Sequence, residues 1–206
     1  MGLTDLRGHL RAERGSALRL GRLIVVASIF GVAATPGAHA QAVRAVIIVR
    51  HGEKAVTPKE NPPLSPAGRA RAQSLLETLR AAGITSIITT DQQRTRATGA
   101  PLAAALRLQE QIVPRTENPR ADAGAIAAAV RRAGGVVLVV SHQLTIPHII
   151  AELHGPQTQT MCDVEFFNLY ILVPADSGRF SLIRGHYGAQ DPPHTDECRV
   201  MPVSPP

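Results

Sequence analysis

The feature that most constrains the fold is a regular alternation of short apolar runs with helical patterns. β-Branched apolar runs predict strands over four ranges: 43–49, 84–90, 112–113 and 136–140. Apolar residues at helical spacing predict helices over four more: 66–82, 93–108, 121–133 and 144–153. This order is typical of an α/β protein, and we predict a three-layer α/β/α sandwich around a mainly parallel, mixed sheet.

Two further predictions concern local features of this fold. The runs 166–173 and 179–186 are expected to form an antiparallel hairpin near the C-terminus, because the turn sequence Asp176-Ser177-Gly178 separates them. Pro101 falls inside the second helical pattern. We expect it to kink that helix or to divide it, because proline lacks the amide that a helix interior uses.

Residues 1–40 have the pattern of a secretory signal peptide. Five arginines in the first 22 residues precede an apolar run of about a dozen residues, too short to span a bilayer comfortably. The small-x-small site Ala38-His39-Ala40 follows, so we expect cleavage after Ala40 and export to the periplasm or the cell exterior. The alternative is an uncleaved membrane anchor. The rest of the chain divides into a domain over 41–190 and a Pro-rich tail over 191–206.

Composition argues against a nucleic-acid partner. Only 3% of the residues are aromatic and Trp is absent, whereas proteins that bind single strands stack bases on aromatic rings. The net charge is +6, and residues 1–40 supply half of it, because their five Arg stand against Asp5 and Glu13. The mature part is therefore only mildly basic. Cys162 and Cys198 can pair in an oxidising compartment or remain thiols, and the sequence leaves both states open.

Charged side chains follow three of the predicted strands directly. Arg50-His51 ends the first, Asp91-Gln92-Gln93-Arg94 follows the second, and Ser141-His142 follows the fourth. The carboxyl ends of parallel strands share one edge of a sheet, so we expect these groups to meet there. Imidazoles and guanidiniums with few carboxylates favour a compact dianion, most simply a phosphoryl group. A neutral imidazole aimed at phosphorus makes such a site catalytic through a phosphohistidine, without a metal or other cofactor.

Four segments carry a resemblance to a known family. Arg50-His51-Gly52 directly after a strand resembles the R-H-G signature of the histidine phosphatase superfamily, the phosphoglycerate-mutase-like proteins. Three later segments resemble further motifs of that family: 63–69 (PLSPAGR), 91–103 (DQQRTRATGAPLA) and 137–146 (VLVVSHQLTI). The resemblance covers about residues 43–153 and is to branch 1, to its small members without a large lid.

The resemblance implies a role for each matching residue. His51 is the nucleophile that becomes phosphorylated, and Arg50 and Arg94 bind the phosphoryl oxygens. His142 lies opposite and donates a hydrogen bond to the same group. The backbone carbonyl of Gly52 holds the far ring nitrogen of the nucleophile and so fixes its tautomer.

The sequence departs from the family at the general acid. Many members carry a carboxylate after the second strand–helix unit, where this chain offers only Glu110 and Glu117. Glu117, in the Thr116-Glu117-Asn118-Pro119 loop, is the better candidate. Some small relatives lack such an acid, so this remains a third possibility.

These patterns favour an exported phosphatase that hydrolyses small phosphomonoesters through a phosphohistidine on His51. A phosphoglycerate-mutase-like phosphotransferase is a second hypothesis, and a silent phosphate-binding module is a third. Segments 54–63 and 109–122 are too short for a lid that would exclude water, which favours hydrolysis. The histidines form no compact ligand pattern such as H-E-x-x-H, so no metal site is expected. No membrane span is expected after cleavage, and substrate identity and oligomeric state stay open.

Overall fold

The structure is a computed structural model that describes residues 41–159 and 161–192. Its strands are β1 (Val43–Arg50), β2 (Ser86–Thr90), β3 (Glu110–Val113), β4 (Gly135–Ser141), β5 (Asn168–Pro174) and β6 (Phe180–His186). Its α-helices are α1 (Pro66–Leu79), α2 (Gln93–Leu106), α3 (Pro119–Ala133) and α4 (Ile146–Glu152). The predicted alternation of strands and helices is confirmed.

The strands form one six-stranded sheet in the order β3-β2-β4-β1-β5-β6. The first four strands in the chain pair in parallel, whereas β5 runs antiparallel to β1 and to β6. Buried side chains of α3 and α4 pack on one face of the sheet, and those of α1 and α2 pack on the other. The predicted three-layer arrangement and the antiparallel hairpin are therefore confirmed. Within the part of the chain that is described, no helix is long and apolar enough to cross a membrane.

Helix α2 is not divided at Pro101. The helix runs without a break through this proline from Gln93 to Leu106. Proline removes one amide donor from the helix, at a cost that tertiary packing can offset. Leu102 is fully buried beside it, and a Cβ added at Gly99 would lie 3.4–3.6 Å from side chains of β2 and β4. Packing against β2 and β4 therefore holds the helix together where its own hydrogen bonding is weakest.

The sheet order brings three strand ends together. β2, β4 and β1 are neighbours, and their parallel registers place Thr89 opposite Val140 and Arg50 opposite Ser141. The carboxyl ends of these three strands therefore lie side by side at one edge. The residues that follow them are presented to the same space.

The backbone of the loop after β1 lies so close to α1 that there is no room for a Cβ at either Gly52 or Gly68. A Cβ at Gly68 would lie 2.2 Å from the carbonyl oxygen of Glu53, and a Cβ at Gly52 would lie 2.8 Å from the carbonyl oxygen of Gly68. Ser65 caps this helix end, because its hydroxyl accepts a hydrogen bond from the Gly68 amide. Two glycines are thus required where the strand end meets the helix.

We expect Gly68→Ala to lower the free energy of unfolding by about 1–3 kcal/mol, because backbone atoms must move to admit the methyl group. Gly124→Ala is the matched control: Gly124 also lies in a helix, and nothing lies within 4 Å of its added Cβ. That variant should be neutral or up to about 1 kcal/mol more stable. Urea unfolding measures both, and equal effects at the two sites would contradict the close approach.

Candidate active site

His51 stands at the end of β1 with its ring orientation fixed on both sides. Its backbone amide donates to the carbonyl of Ser141 (3.0 Å), which extends the β1–β4 ladder by one residue. Its Nδ1 lies 2.8 Å from the carbonyl oxygen of Gly52. A carbonyl only accepts, so Nδ1 carries the proton and Nε2 of the neutral ring carries a lone pair. The tautomer implied by the family resemblance is the one that this geometry requires.

Arg94 faces that lone pair from the first turn of α2. Its Nε donates to His51 Nε2 at 3.2 Å, and its Nη1 donates to the Gln92 side chain at 3.1 Å. Thr98, one helical turn later, accepts from the Gly52 amide (2.9 Å) and donates to the Arg94 carbonyl (2.7 Å). One hydroxyl thus ties the histidine loop to the helix that carries the arginine.

Arg50 is buried beneath the segment that leads into β5. Its Nη1 donates to three backbone carbonyls, those of Cys162 (2.9 Å), Asp163 (3.0 Å) and Glu165 (2.9 Å). Its guanidinium lies 4.0 Å from the centre of the Phe166 ring. The Nε atom is buried and has no hydrogen-bond partner among the described residues. The carbonyls fix the position of this guanidinium, and its unsatisfied buried Nε can donate a hydrogen bond to an anionic oxygen.

A buried ion-pair cluster supports the Arg50 pocket from behind. Arg71 of α1 binds the Glu53 carboxylate through Nη2 (2.7 Å) and contacts Asp191 at 3.3 Å. Asp191 in turn accepts from the Phe166 amide (2.7 Å) and from the amide of the next residue (3.0 Å). Its carboxylate therefore fixes the segment that covers Arg50, so the packed domain extends to at least this residue. Sequence analysis did not single out this cluster.

His142 completes the group of side chains at this edge. It follows β4, is 7% exposed, and its ring centroid lies 5.3 Å from that of His51. Its Nε2 lies 2.9 Å from the hydroxyl of Thr90 at the end of β2. The structure thus brings together His51, Arg94 and His142 from three different strand ends, with Arg50 adjacent to His51 in the chain.

Burial lowers the pKa of both histidines. The pKa of His51 falls to about 3, because desolvation outweighs the Gly52 hydrogen bond and because Arg50, Arg94 and Lys54 add positive charge. The pKa of His142 falls to about 2 by desolvation first, and then by the nearby positive groups. Burial also lowers the pKa of Arg50 to about 10, which leaves it charged at neutral pH. The site at pH 7 therefore combines neutral imidazoles with guanidinium cations.

The two candidate acids occupy different places. Glu110 begins β3, at the amino end of the strand, and its carboxylate is paired with Arg96 at 2.7 Å and bonded to Thr89. It is therefore not available to the edge that carries His51. Glu117 lies in an exposed loop before α3, and no contact of its side chain to the histidines or to Arg94 is present in the described part of the chain.

Two further cations lie near the site: Arg115 was not predicted, and Lys54 was expected to lie in a solvated loop rather than at the rim of the site. Arg115 follows β3, its amide bonds the Asp91 side chain (3.2 Å), and its charge lowers the pKa of both Arg94 and His142. Lys54 follows the R-H-G segment and lowers the pKa of His51. The position of Arg115 after the end of β3 was the signal that could have found it.

No group of three potential metal ligands (His, Cys, Asp or Glu) lies close together within residues 41–159 and 161–192. Cys162, whose carbonyl binds Arg50, is disulfide-bonded. Cys198 lies outside the described residues, as do the predicted signal peptide and nearly all of the predicted tail.

The fold and the site agree with one family. The sequence model of the histidine phosphatase superfamily (branch 1) matches residues 46–118. No curated protein sequence matches the chain at a significant level. This match covers 73 of the 206 residues and supports the resemblance found in the sequence.

Solved structures of the same fold include three informative neighbours. The protein histidine phosphatase SixA in complex with tungstate has a TM-score of 0.55 at 18% identity, over 69% of this chain and 96% of that one. A candidate SixA from Nakamurella multipartitia has a TM-score of 0.53 at 22% identity, over 71% and 97%. A mycobacterial glucosyl-3-phosphoglycerate phosphatase in complex with VO3 has a TM-score of 0.53 at 15% identity, over 72% and 100%. These identities establish a shared fold.

The depressed histidine pKa values predict how stability depends on pH. In the unfolded chain each histidine titrates near 6.5, whereas folded His51 titrates at about 3. Between these values the unfolded state binds more protons, so stability falls as the pH falls below 6.5. His51→Gln removes one such group, and its loss of stability from pH 7 to pH 5 should be smaller by on the order of 1–2 kcal/mol. Urea unfolding at both pH values measures this, and an unchanged pH dependence would contradict the neutral buried ring.

Proposed function

We propose that this protein is an exported phosphatase that hydrolyses small phosphomonoesters through a phosphohistidine on His51. One observation carries the proposal. The Nε2 lone pair of His51 points at Arg94, while Nδ1 is held by the Gly52 carbonyl. A neutral imidazole fixed in this way is an oriented nucleophile beside a cation that matches phosphoryl oxygens.

Substrate binding exchanges one hydrogen bond for several stronger ones. A phosphoryl group that enters between the ring and the guanidinium replaces the 3.2 Å contact of Arg94 with His51. Arg94 then donates to phosphoryl oxygens, and the buried Nε of Arg50 gains the acceptor that it lacks within the described chain. Both arginines stabilise charge on the equatorial oxygens as His51 attacks phosphorus. The intermediate is then hydrolysed by water.

Hydrolysis is favoured over transfer to a second position of the substrate. The segment between β1 and α1 and the segment between β3 and α3 are each short, and neither forms a helix of its own. Water therefore has access to the phosphoenzyme. A silent phosphate-binding module is disfavoured, because binding alone does not require the nucleophile geometry of His51. Oxyanions bound by two of the structural neighbours, tungstate and VO3, support a site of this class.

The proposal needs no metal, because guanidinium groups supply the positive charge that a metal ion would provide. Glu117 is the candidate for the general acid, because it is exposed in the loop before α3, two residues after Arg115. Glu117→Gln should slow substrates with poor leaving groups more than aryl phosphates if its carboxyl protonates the leaving group. Equal effects on both substrate types would remove it from the mechanism.

Export forms part of the proposal and rests on the sequence of residues 1–40. The disulfide at Cys162 supports an oxidising compartment. Fractionation of cells that express the full chain should place a product beginning at Gln41 outside the cytoplasm. An uncleaved chain that stays in the cytoplasmic fraction would contradict export.

The activity is tested with a panel of phosphomonoesters on protein that begins at Gln41. We expect chelator-insensitive hydrolysis that vanadate inhibits, and no activity in His51→Ala. Arg94→Ala should lower kcat/KM by about 10³-fold, because it removes a donor to the developing charge. Arg96→Ala is the matched control, because this arginine lies on the same helix but pairs with Glu110. Full activity in His51→Ala would refute the mechanism, and equal losses in the two arginine variants would refute the role of Arg94.

A further inference from the structure

A chain of hydroxyl groups runs from the His142 ring into the protein. His142 Nε2 lies 2.9 Å from the Thr90 hydroxyl, which lies 2.8 Å from the Thr95 hydroxyl. The Thr95 hydroxyl in turn donates to the backbone carbonyls of Gln92 (2.8 Å) and Thr90 (3.1 Å). Both threonines are at most 1% exposed, so water does not compete for these hydrogen bonds.

Counting the protons gives the direction of this chain. Each hydroxyl has one proton, and a carbonyl can only accept. We assign the Thr95 proton to the carbonyls, which only accept, and the Thr95 oxygen then accepts at 2.8 Å from the Thr90 hydroxyl. The Thr90 proton is then used as well, so its oxygen must accept at 2.9 Å from His142 Nε2. The neutral His142 ring therefore carries its proton on Nε2 and a lone pair on Nδ1.

We infer that His142 meets the phosphoryl group as a proton acceptor, so that the enzyme acts on the singly protonated form of a phosphomonoester. This inference rests on the proposed phosphatase function and specifies its substrate and its proton source. It also reverses the simplest expectation for His142, which was that the neutral ring donates to the phosphoryl group. The ring becomes a donor only after it has taken a proton from the substrate.

The first chemical step then balances without an acid from the protein. The P–OH proton of the substrate monoanion moves to His142 Nδ1. His51 Nε2 forms its bond to phosphorus while the bond from phosphorus to the leaving oxygen breaks, and the leaving oxygen takes the proton back from Nδ1. The products are a neutral alcohol and the phosphohistidine, with the total charge unchanged at −1. No carboxylate is required, which agrees with the absence of one among the groups that contact His51 in the described chain.

The second step uses the same lone pair. Water attacks the phosphohistidine and gives a proton to His142 Nδ1, while the bond from phosphorus to His51 Nε2 breaks. His142 then returns the proton to a phosphoryl oxygen, so the released product is the phosphate monoanion. A ring whose Nδ1 already carried a proton in the neutral state could not act as this base.

The charges around His142 keep its ring neutral until an anion binds. The charged groups that face it are Arg50 after β1, Arg94 on α2 and Arg115 after β3, together with the His51 ring. All of them disfavour a proton on the ring. A bound phosphoryl group offsets these cations, so proton transfer to Nδ1 becomes favourable only in the substrate complex. The same positive groups therefore couple protonation of His142 to occupancy of the site.

The pH dependence of kcat/KM tests the inference in the wild-type protein. Phosphomonoesters lose their second proton near pH 6, so kcat/KM should fall about tenfold per pH unit above that value. An aryl phosphate with an electron-withdrawing ring has a lower second pKa than an alkyl phosphate. The pH at which kcat/KM begins to fall (the falling limb of the pH profile) should therefore be lower by the same difference. A limb that stays fixed when the substrate pKa changes overturns the inference while leaving the phosphatase function intact. No hydrolysis of either substrate at any pH would instead refute the proposed function.

Nitrogen-15 NMR of the His142 ring tests the tautomer without relying on activity. We expect the proton on Nε2 at pH 7, and a proton on Nδ1 would overturn the inference. Thr90→Ser keeps the acceptor and should preserve the monoanion preference. Thr90→Val removes it, so kcat/KM at pH 5 should fall about tenfold and the falling limb should flatten. A folded Thr90→Val protein that retains the wild-type limb and rate would contradict the role of this hydroxyl, which positions His142 and does not touch the substrate.

Discussion

Parallel pairing of β1 with β4 is the constraint on which the site depends. This ladder continues past the end of the strands through the bond from the His51 amide to the Ser141 carbonyl. It fixes the backbone of His51, the proposed nucleophile, beside Ser141, the residue before His142. Because β2 pairs with the other side of β4, Thr90 and the first turn of α2 reach the same edge. A slip of one residue in either register would move a side chain of the site to the other face of the sheet.

Positive charge accumulates at this edge because backbone carbonyls, not carboxylates, hold Arg50. Three carbonyls from one segment occupy its Nη1, whereas the Asp163 carboxylate lies 3.9 Å from Nη2. Carbonyls orient the guanidinium without cancelling its charge, so it remains available to an anion. The carboxylates nearby are used differently: Glu53 and Asp191 neutralise Arg71, behind the pocket. This separation keeps negative charge away from His51.

Sequence reasoning recovered the parts of the structure that depend on local pattern. The alternation of apolar runs and helical stripes predicted each strand and helix. The positions of His51, Arg94 and His142 after strand ends predicted that these three side chains would meet at one edge of the sheet. The hydroxyl chain was not predictable, because Thr90 and Thr95 have no distinctive local pattern and their relation to His142 arises from the pairing of β2 with β4. The Arg71 cluster was missed for a similar reason. Its partners lie at sequence separations of 18 and 120 residues, which no short motif can encode.

In the proposed mechanism, His51 itself carries the phosphoryl group between the two steps. Rapid mixing of the protein with a phosphomonoester, quenching under conditions that preserve phosphohistidine, and peptide mass spectrometry measure this directly. We expect phosphate on His51 within the first turnover, formed and lost at least as fast as product is released. Product formation with no phosphoprotein, or with phosphate on a different residue, would contradict it.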